Sequence, residues 1–195
     1  MEITKTLNVK NRAQWRKWLE KNHRSAYEIW LIYYRKQSGK PRIPYNDAVE
    51  EALCFGWIDS IIKILDNERT VQRFSLRRKN SMLSELNKER VRRLIQQGKM
   101  TSFGLESIRH HMEDEINGKD NNLKLKNFEL PDDILNELKA DIIVWQNFEK
   151  FPGHYKTIRI AWIDGARKRP EEFRKRLRYF IKMTLKNKKF GMMQS

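Results

Sequence analysis

Asp59 is a carboxylate in an apolar setting. It falls in the run Leu53-Cys54-Phe55-Gly56-Trp57-Ile58-Asp59-Ser60, where a helix passes through a glycine into a strand. Taking a carboxylate out of water is costly unless it is paired or hydrogen-bonded, so Asp59 needs a partner. The segment Phe74-Ser75-Leu76-Arg77-Arg78 returns after the short polar turn Asp66-Asn67-Glu68-Arg69. Cross-strand pairing then sets Arg77 or Arg78 opposite or diagonal to Asp59, with the register open by one residue. Ser81, Ser84 and Asn87 lie just beyond. Two readings stand side by side. One is a structural ion pair that fixes the hairpin on the helices. The other is a pocket for a small polar or anionic ligand: Arg77 supplies a bidentate fork, Asp59 orients it, and Ser81 and Asn87 add neutral hydrogen bonds. Trp57 walls that pocket or belongs to the core.

Other chemistry finds little support. His110 and His111 are adjacent and point about 100° apart on a helix. Glu106 and His110 are i, i+4, but no third ligand accompanies them, so no metal is expected. The chain has no Gly-rich phosphate loop, nucleophile elbow or HExxH motif. Nothing supplies a base–nucleophile pair, so a non-enzymatic protein is favoured over an enzyme of unknown reaction, and no cofactor is expected. The single cysteine, Cys54, cannot form an internal disulfide and sits in an apolar run, as a small core residue does. Lys and Arg number 41 against 25 Asp and Glu, a formal net charge of +16. A field of that sign attracts nucleic acid or another anionic surface. The alternative site is therefore the basic C-terminal segment, where Arg174, Lys175, Arg178 and Lys182 lie off the apolar stripe of Phe173, Leu177, Phe180 and Ile181.

The elements that position these residues follow from periodicity and caps. Asn11 caps a helix over 11–22, with Trp15, Trp18 and Leu19 on one stripe and Gln14 reaching back. Tyr27 to Tyr34 is rich in β-branched and aromatic residues and predicts a strand buried on both faces. Asn46 is expected to cap a short helix that Gly56 ends. Residues 57–65 and 70–77 predict an antiparallel hairpin. Ser84 and Thr101 start two further helices. Residues 116–130 are polar and predict an exposed linker, after which Pro131 and Pro170 open helices. The expected fold is α+β and mostly helical, with a small antiparallel sheet (strands near 27–35, 57–65 and 70–77) packed by helices. The organisation is a core module at 1–115, a linker at 116–130 and a basic helical region at 131–195. The 6 Trp, 6 Tyr and 9 Phe argue against disorder. With no apolar leader and no run of roughly 18 apolar residues, the expected compartment is the cytoplasm.

The run Glu50-Glu51-Ala52-Leu53-Cys54-Phe55-Gly56-Trp57-Ile58-Asp59-Ser60 resembles the YdeI/OmpD-associated (bacteriocin-protection) family. So does the pattern of Phe74, Arg77, Ser81, Ser84 and Asn87 with Arg90-Val91. Trp15 to Leu19, Trp30-Leu31, Gly98 to Thr101 with Gly104-Leu105, and Ala166-Arg167-Lys168 followed by Glu172 to Leu177 extend the likeness along the chain. Leu76, Leu83 and Phe173 depart from it, standing where the family has proline, tryptophan and threonine. The resemblance implies a part in protection against bacteriocins or envelope stress. That is a phenotype, and no reaction or cofactor comes with it.

Overall fold

The structure, a computed structural model, describes residues 2–79, 81–112 and 130–191. These fall in two compact units, the first within Met1–Leu83 and Asn87–Asp120, the second within Ser84–Leu86 and Asn121–Ser195.

The first unit holds a four-stranded mixed sheet in the order β1-β2-β4-β3, from β1 (Thr6–Leu7), β2 (Glu28–Tyr34), β3 (Trp57–Ile64) and β4 (Arg69–Leu76). The three longer strands stand where the β-branched and aromatic runs predict them, and their two pairings are antiparallel. β1 adds to that expectation. It runs parallel to β2, pairing Thr6 with Trp30, and two residues are too few to carry a period-2 signal. In the hairpin Trp57 pairs with Leu76 and Asp59 with Phe74, and the next partners are Ile62 and Gln72. One extra residue on β3 therefore forms a bulge just past Asp59.

One face of the sheet presents Ile29, Leu31, Tyr33, Trp57 and Phe74 to a core shared with α1 (Arg12–Asn22), α2 (Tyr45–Cys54) and α3 (Glu85–Gln96). Trp15 and Leu19 fill it from α1, and Val91 and Leu94 from α3. The other face carries a small cluster of Trp30, Ile32 and Val71, so β2 is buried on both sides as its composition predicts. Asn11 caps α1 by accepting from the Gln14 N–H at 3.0 Å, and Gln14 returns to the Lys10 N–H at 2.8 Å. The start of α2 differs from expectation. Pro44 precedes its first residue, so Asn46 lies inside the first turn and spends its side chain elsewhere. The α2–β3 junction needs Gly56, whose φ of +70° is left-handed. α4 (Ser102–Ile108) is capped by Thr101, which accepts from Gly104 N at 3.0 Å and donates to Cys54 O at 2.6 Å.

The second unit is helical: α5 (Asp132–Lys139), α6 (Ile142–Lys150), α7 (Gly153–Asp164) and α8 (Pro170–Leu185). Its own core joins Ile134, Leu138, Phe148, Tyr155, Ile163 and Phe180. Asp141 caps α6 through the Ile143 and Val144 amides, and Pro170 opens α8. The linker expected at 116–130 lies, except for Leu130, outside the described residues. Among the described residues no helix is long and apolar enough to cross a membrane.

Candidate functional site

Asp59 finds its partners on its own face of the sheet. Because it pairs with Phe74, it shares a face with Gln72, two residues along β4, and the first residue of α2 reaches the same spot. Its Oδ2 accepts from Tyr45 Oη at 2.8 Å and from Gln72 Nε2 at 2.9 Å. Burial first, then the charge and hydrogen bond of Asp59, push the Tyr45 hydroxyl up to about 12. Tyr33 is buried on this face as well, and its hydroxyl has no hydrogen-bond partner. Burial, then the fields of Asp59 and Tyr45, raise its pKa far above the ordinary value. Arg90, 6% exposed, donates from Nη1 to Asn87 Oδ1 and from Nη2 to Asn46 Oδ1, each at 2.8 Å. Burial lowers its pKa against the opposing fields of Tyr45, Glu50 and Asp59. Asp59 and Asn87 thus belong to one polar region, linked by Tyr45, Asn46 and Arg90.

The anticipated contact of Asp59 with Arg77 or Arg78 does not form. Asp59 is matched with Phe74, so Arg77 stands beyond the end of the ladder, where its amide donates to Gly56 O at 2.9 Å. Its Nη2 donates to Ser81 O at 2.8 Å, while Nε and Nη1 are buried without a partner, and burial lowers its pKa. Ser81 therefore contributes its carbonyl, which also lies 2.8 Å from His111 Nε2. Arg78 is exposed. Trp57 is fully buried, donates to His23 O at 3.1 Å and packs edge-on against Trp18. The five residues of the expected pocket are thus split between the polar region, the Arg77–Ser81 turn and the core.

A feature that sequence reasoning missed lies beside this region. Glu50 and Glu51 are 4% and 2% exposed, and both are held by arginines. Arg12 donates from Nε to Glu51 and from Nη2 to Glu50, the latter at 2.9 Å, and its Nη1 lies 3.4 Å from Asp47. Arg16 takes the other oxygen of Glu51 at 2.8 Å, and Arg93 the other oxygen of Glu50. Burial works against the charge on Arg12, but Glu51 and Glu50 outweigh it and hold its pKa above the ordinary value. The signal was present: Asp47, Glu50 and Glu51 share one helical face at i, i+3, i+4, and Arg12 and Arg16 share another at i, i+4. The network ties α1 and α3 to α2.

Cys54 is fully buried, and burial, then the field of Glu51, push its thiol up to about 11. Among the described residues no three His, Cys, Asp or Glu side chains are placed to hold a metal ion. On α8, Arg174, Lys175, Arg178 and Lys182 are all exposed, while Leu177, Phe180 and Thr184 are buried. Arg174 lies 3.2 Å from Glu171 in a pair exposed on both sides, and no carboxylate among the described residues pairs with Lys175, Arg178 or Lys182. Lys175 and Arg178 also line a shallow, open depression of about 500 Å³ with Arg169, Pro170, Glu171 and Glu172.

No curated protein and no solved structure matches the chain. Two family models do. Residues 127–187 match the family described as bacteriocin-protection, YdeI or OmpD-associated, so the resemblance first traced through Gly56-Trp57-Ile58-Asp59-Ser60 is found in the C-terminal helices. Residues 7–107, which carry that motif and the polar region around Asp59, match a domain of unknown function (DUF8412). By that match, over just over half of its 195 residues, the chain belongs to the DUF8412 family, and its C-terminal residues 127–187 match the YdeI or OmpD-associated bacteriocin-protection family.

Proposed function

We propose that this chain is a bacteriocin-protection-associated binding protein of the cytoplasm that engages nucleic acid through the basic face of α8. The observation that carries the reading is the charge of the last segment. From Phe173 to Ser195 the chain has eight Lys or Arg and no Asp or Glu. Four of the eight, Arg174, Lys175, Arg178 and Lys182, are exposed on α8, off the stripe that faces the core. A rod of that kind neutralises phosphates without base contacts, so the binding is independent of sequence. Four contacts give a slope of about −3.6 in log affinity against log salt on duplex DNA, hence a loss of about 150-fold between 50 and 200 mM salt. Fluorescence anisotropy with labelled duplex, single-stranded DNA and RNA across a salt series tests this. Reversing all four cations to Glu is expected to remove binding while leaving the circular dichroism and melting temperature in place. Absence of binding at low salt, or an affinity indifferent to the reversal, refutes the reading.

A second reading has one observation of its own. The buried Tyr33 hydroxyl lacks a partner beside Asp59 and Tyr45, in a region already lined by Gln72 and Arg90. Unmet hydrogen-bonding capacity in a polar region is what a small polar ligand uses. Under this reading Asp59→Asn abolishes a protection phenotype in cells while Tyr33→Phe, which removes only the orphaned hydroxyl, weakens it. Intact protection by a folded Asp59→Asn protein sinks it.

A further inference from the structure

Arg159 of α7 is a buried cation that the reading above does not use. It is 6% exposed, and no carboxylate, carbonyl or hydroxyl among the described residues bonds any of its nitrogens. Its Nε is enclosed without a partner. The guanidinium is instead surrounded by rings: its Cζ lies 5.6 Å from the centre of Tyr155, 5.9 Å from Trp162 and 5.0 Å from Phe190. Gly191 covers it as well. A Cβ there would stand 2.6 Å from Nη1, 2.7 Å from Nη2 and 2.8 Å from the carbon between them, so it would sit over the plane of the group. With φ at +90° as well, position 191 takes glycine for two separate reasons.

Rings and a glycine backbone satisfy the faces of a guanidinium. They do nothing for its edge, where the five N–H donors point. A guanidinium stays charged in a protein, so burial does not remove the demand for an acceptor by removing the proton. Every other buried arginine treated above has an oxygen: Arg90 has two asparagines and Arg77 the Ser81 carbonyl. Arg176, which also lies over Trp162, spends its donors on Glu172 and on Trp162 O. Arg159 alone among them keeps its whole edge unbonded.

We propose that the N–H edge of Arg159, whose guanidinium is packed against Tyr155, Trp162 and Phe190, is a binding site for one small oxyanion, a carboxylate or a phosphate. The planar fork takes two oxygens of such a group side by side, and the surrounding rings lower the local dielectric, which strengthens the pair. This site differs from the exposed cations of α8, which act as a diffuse field and select no single ion.

The test uses the full chain and two probes, sodium acetate and sodium phosphate, each titrated against sodium chloride at constant ionic strength. The readout is the ¹H–¹⁵Nε cross-peak of Arg159, assigned by its loss in Arg159→Lys. A saturable shift is expected with at least one probe, and whichever saturates at lower concentration separates a phosphate site from a carboxylate site. At about 100 times the Kd of that probe the folded-to-unfolded ratio rises about 100-fold, which thermal melting reads independently. Arg159→Met is expected to abolish the melting shift, and Arg159→Lys, which loses the fork, to weaken it about tenfold or more. The variant with Arg174, Lys175, Arg178 and Lys182 all changed to Glu should keep both responses, so failure of the α8 reading and failure of this one are distinguishable. The proposal is overturned if the cross-peak stays still up to about 50 mM of both probes, well above a Kd of order 1 mM. It is equally overturned if the α8 variant loses the response, or if Arg159→Met melts with the same anion-dependent gain as the parent. Should Arg159→Met fail to fold, the cross-peak of the parent protein decides alone.

Discussion

Arg12 is the joint of the acidic face of α2, and replacing it by methionine isolates what that network contributes. The substitution keeps most of the aliphatic stem and deletes three carboxylate contacts, to Glu51, Glu50 and Asp47. Two of those carboxylates have side chains only 3% and 5% exposed, so their charges cannot turn to water. Taking one partner from a fully buried pair costs about 3–5 kcal/mol, because the other charge is stranded. Two features reduce that figure here. The Arg12 side chain is itself 30% exposed, and Arg16 and Arg93 still hold one oxygen of Glu51 and of Glu50. We expect a loss of about 2–3 kcal/mol from the first unit. Adding Glu50→Gln and Glu51→Gln to Arg12→Met removes the stranded charges and should return about 1–2 kcal/mol, whereas the same two changes in the parent should destabilise. Because the chain has two compact units, a single global transition is not assumed. Chemical labelling of the buried Cys54 during urea unfolding follows the first unit on its own, since its only thiol lies in that core. If Arg12→Met unfolds within about 0.5 kcal/mol of the parent, the network is ornamental. If the added glutamines deepen the loss by the sum of their separate costs, stranded charge is not its cause.

Three further outcomes follow from the same unit. A Cβ on Gly104 would stand 2.1 Å from Cys54 O, a backbone atom that Thr101 also fixes, so Gly104→Ala should cost about 2–3 kcal/mol although alanine favours helices; a neutral result in urea unfolding would mean that α4 slides freely along α2. The Cys54 thiol, raised from its ordinary 9.0 to about 11, should resist iodoacetamide at pH 8 in the native protein and react on unfolding. Above pH 9 the unfolded chain gives up that proton before the folded one, so the folded state binds more protons and stability falls as pH rises from 9 to 11. Cys54→Ala should flatten that part of the stability–pH profile, and an unchanged slope would assign the loss to other groups.

The elements with strong periodicity were legible in the sequence. β2, the hairpin, the Asn11 and Thr101 caps and the helices that follow Pro131 and open at Pro170 stand where composition puts them. The misses have local physical causes. Pro44 fixes φ and starts α2 before Asn46, which frees the Asn46 side chain for Arg90. β1 is held by one parallel pairing and a Trp30 N–H bond to Lys5 O, information that resides in β2 rather than in its own two residues. For the site, sequence reasoning identified the unusual carboxylate but not its partner. The bulge after Asp59 and the Phe74 pairing turn it toward Gln72 and Tyr45, and a bulge has no reliable mark in a run such as Asp59-Ser60-Ile61-Ile62. Glu50 and Glu51 were visible as helix residues, but their burial became evident only once α1 brought two arginines against them.

The two halves of the chain use positive charge in different ways, and this decides where a partner of opposite charge can act. In the first unit, several arginines are held by carboxylates: Arg12, Arg16 and Arg93 by Glu50 and Glu51, Arg73 by Glu28, Arg69 by Asp66. A phosphate competing for Arg12, Arg16, Arg73 or Arg93 must first break a bond that is partly sheltered from water. The last 23 residues hold eight of the sixteen net positive charges and no carboxylate. There, Lys175, Arg178 and Lys182 form no ion pair among the described residues, and the Arg174–Glu171 pair has side chains 65% and 87% exposed, so parting it costs about 1 kcal/mol or less. The apolar stripe of the same helix is spent on its own core through Phe173, Leu177, Phe180 and Ile181. Of the cations of α8, Arg176 is the one that reaches α7, through Trp162 O, so Arg174, Lys175, Arg178 and Lys182 stay available to an anionic partner and their reversal is a test of binding rather than of folding.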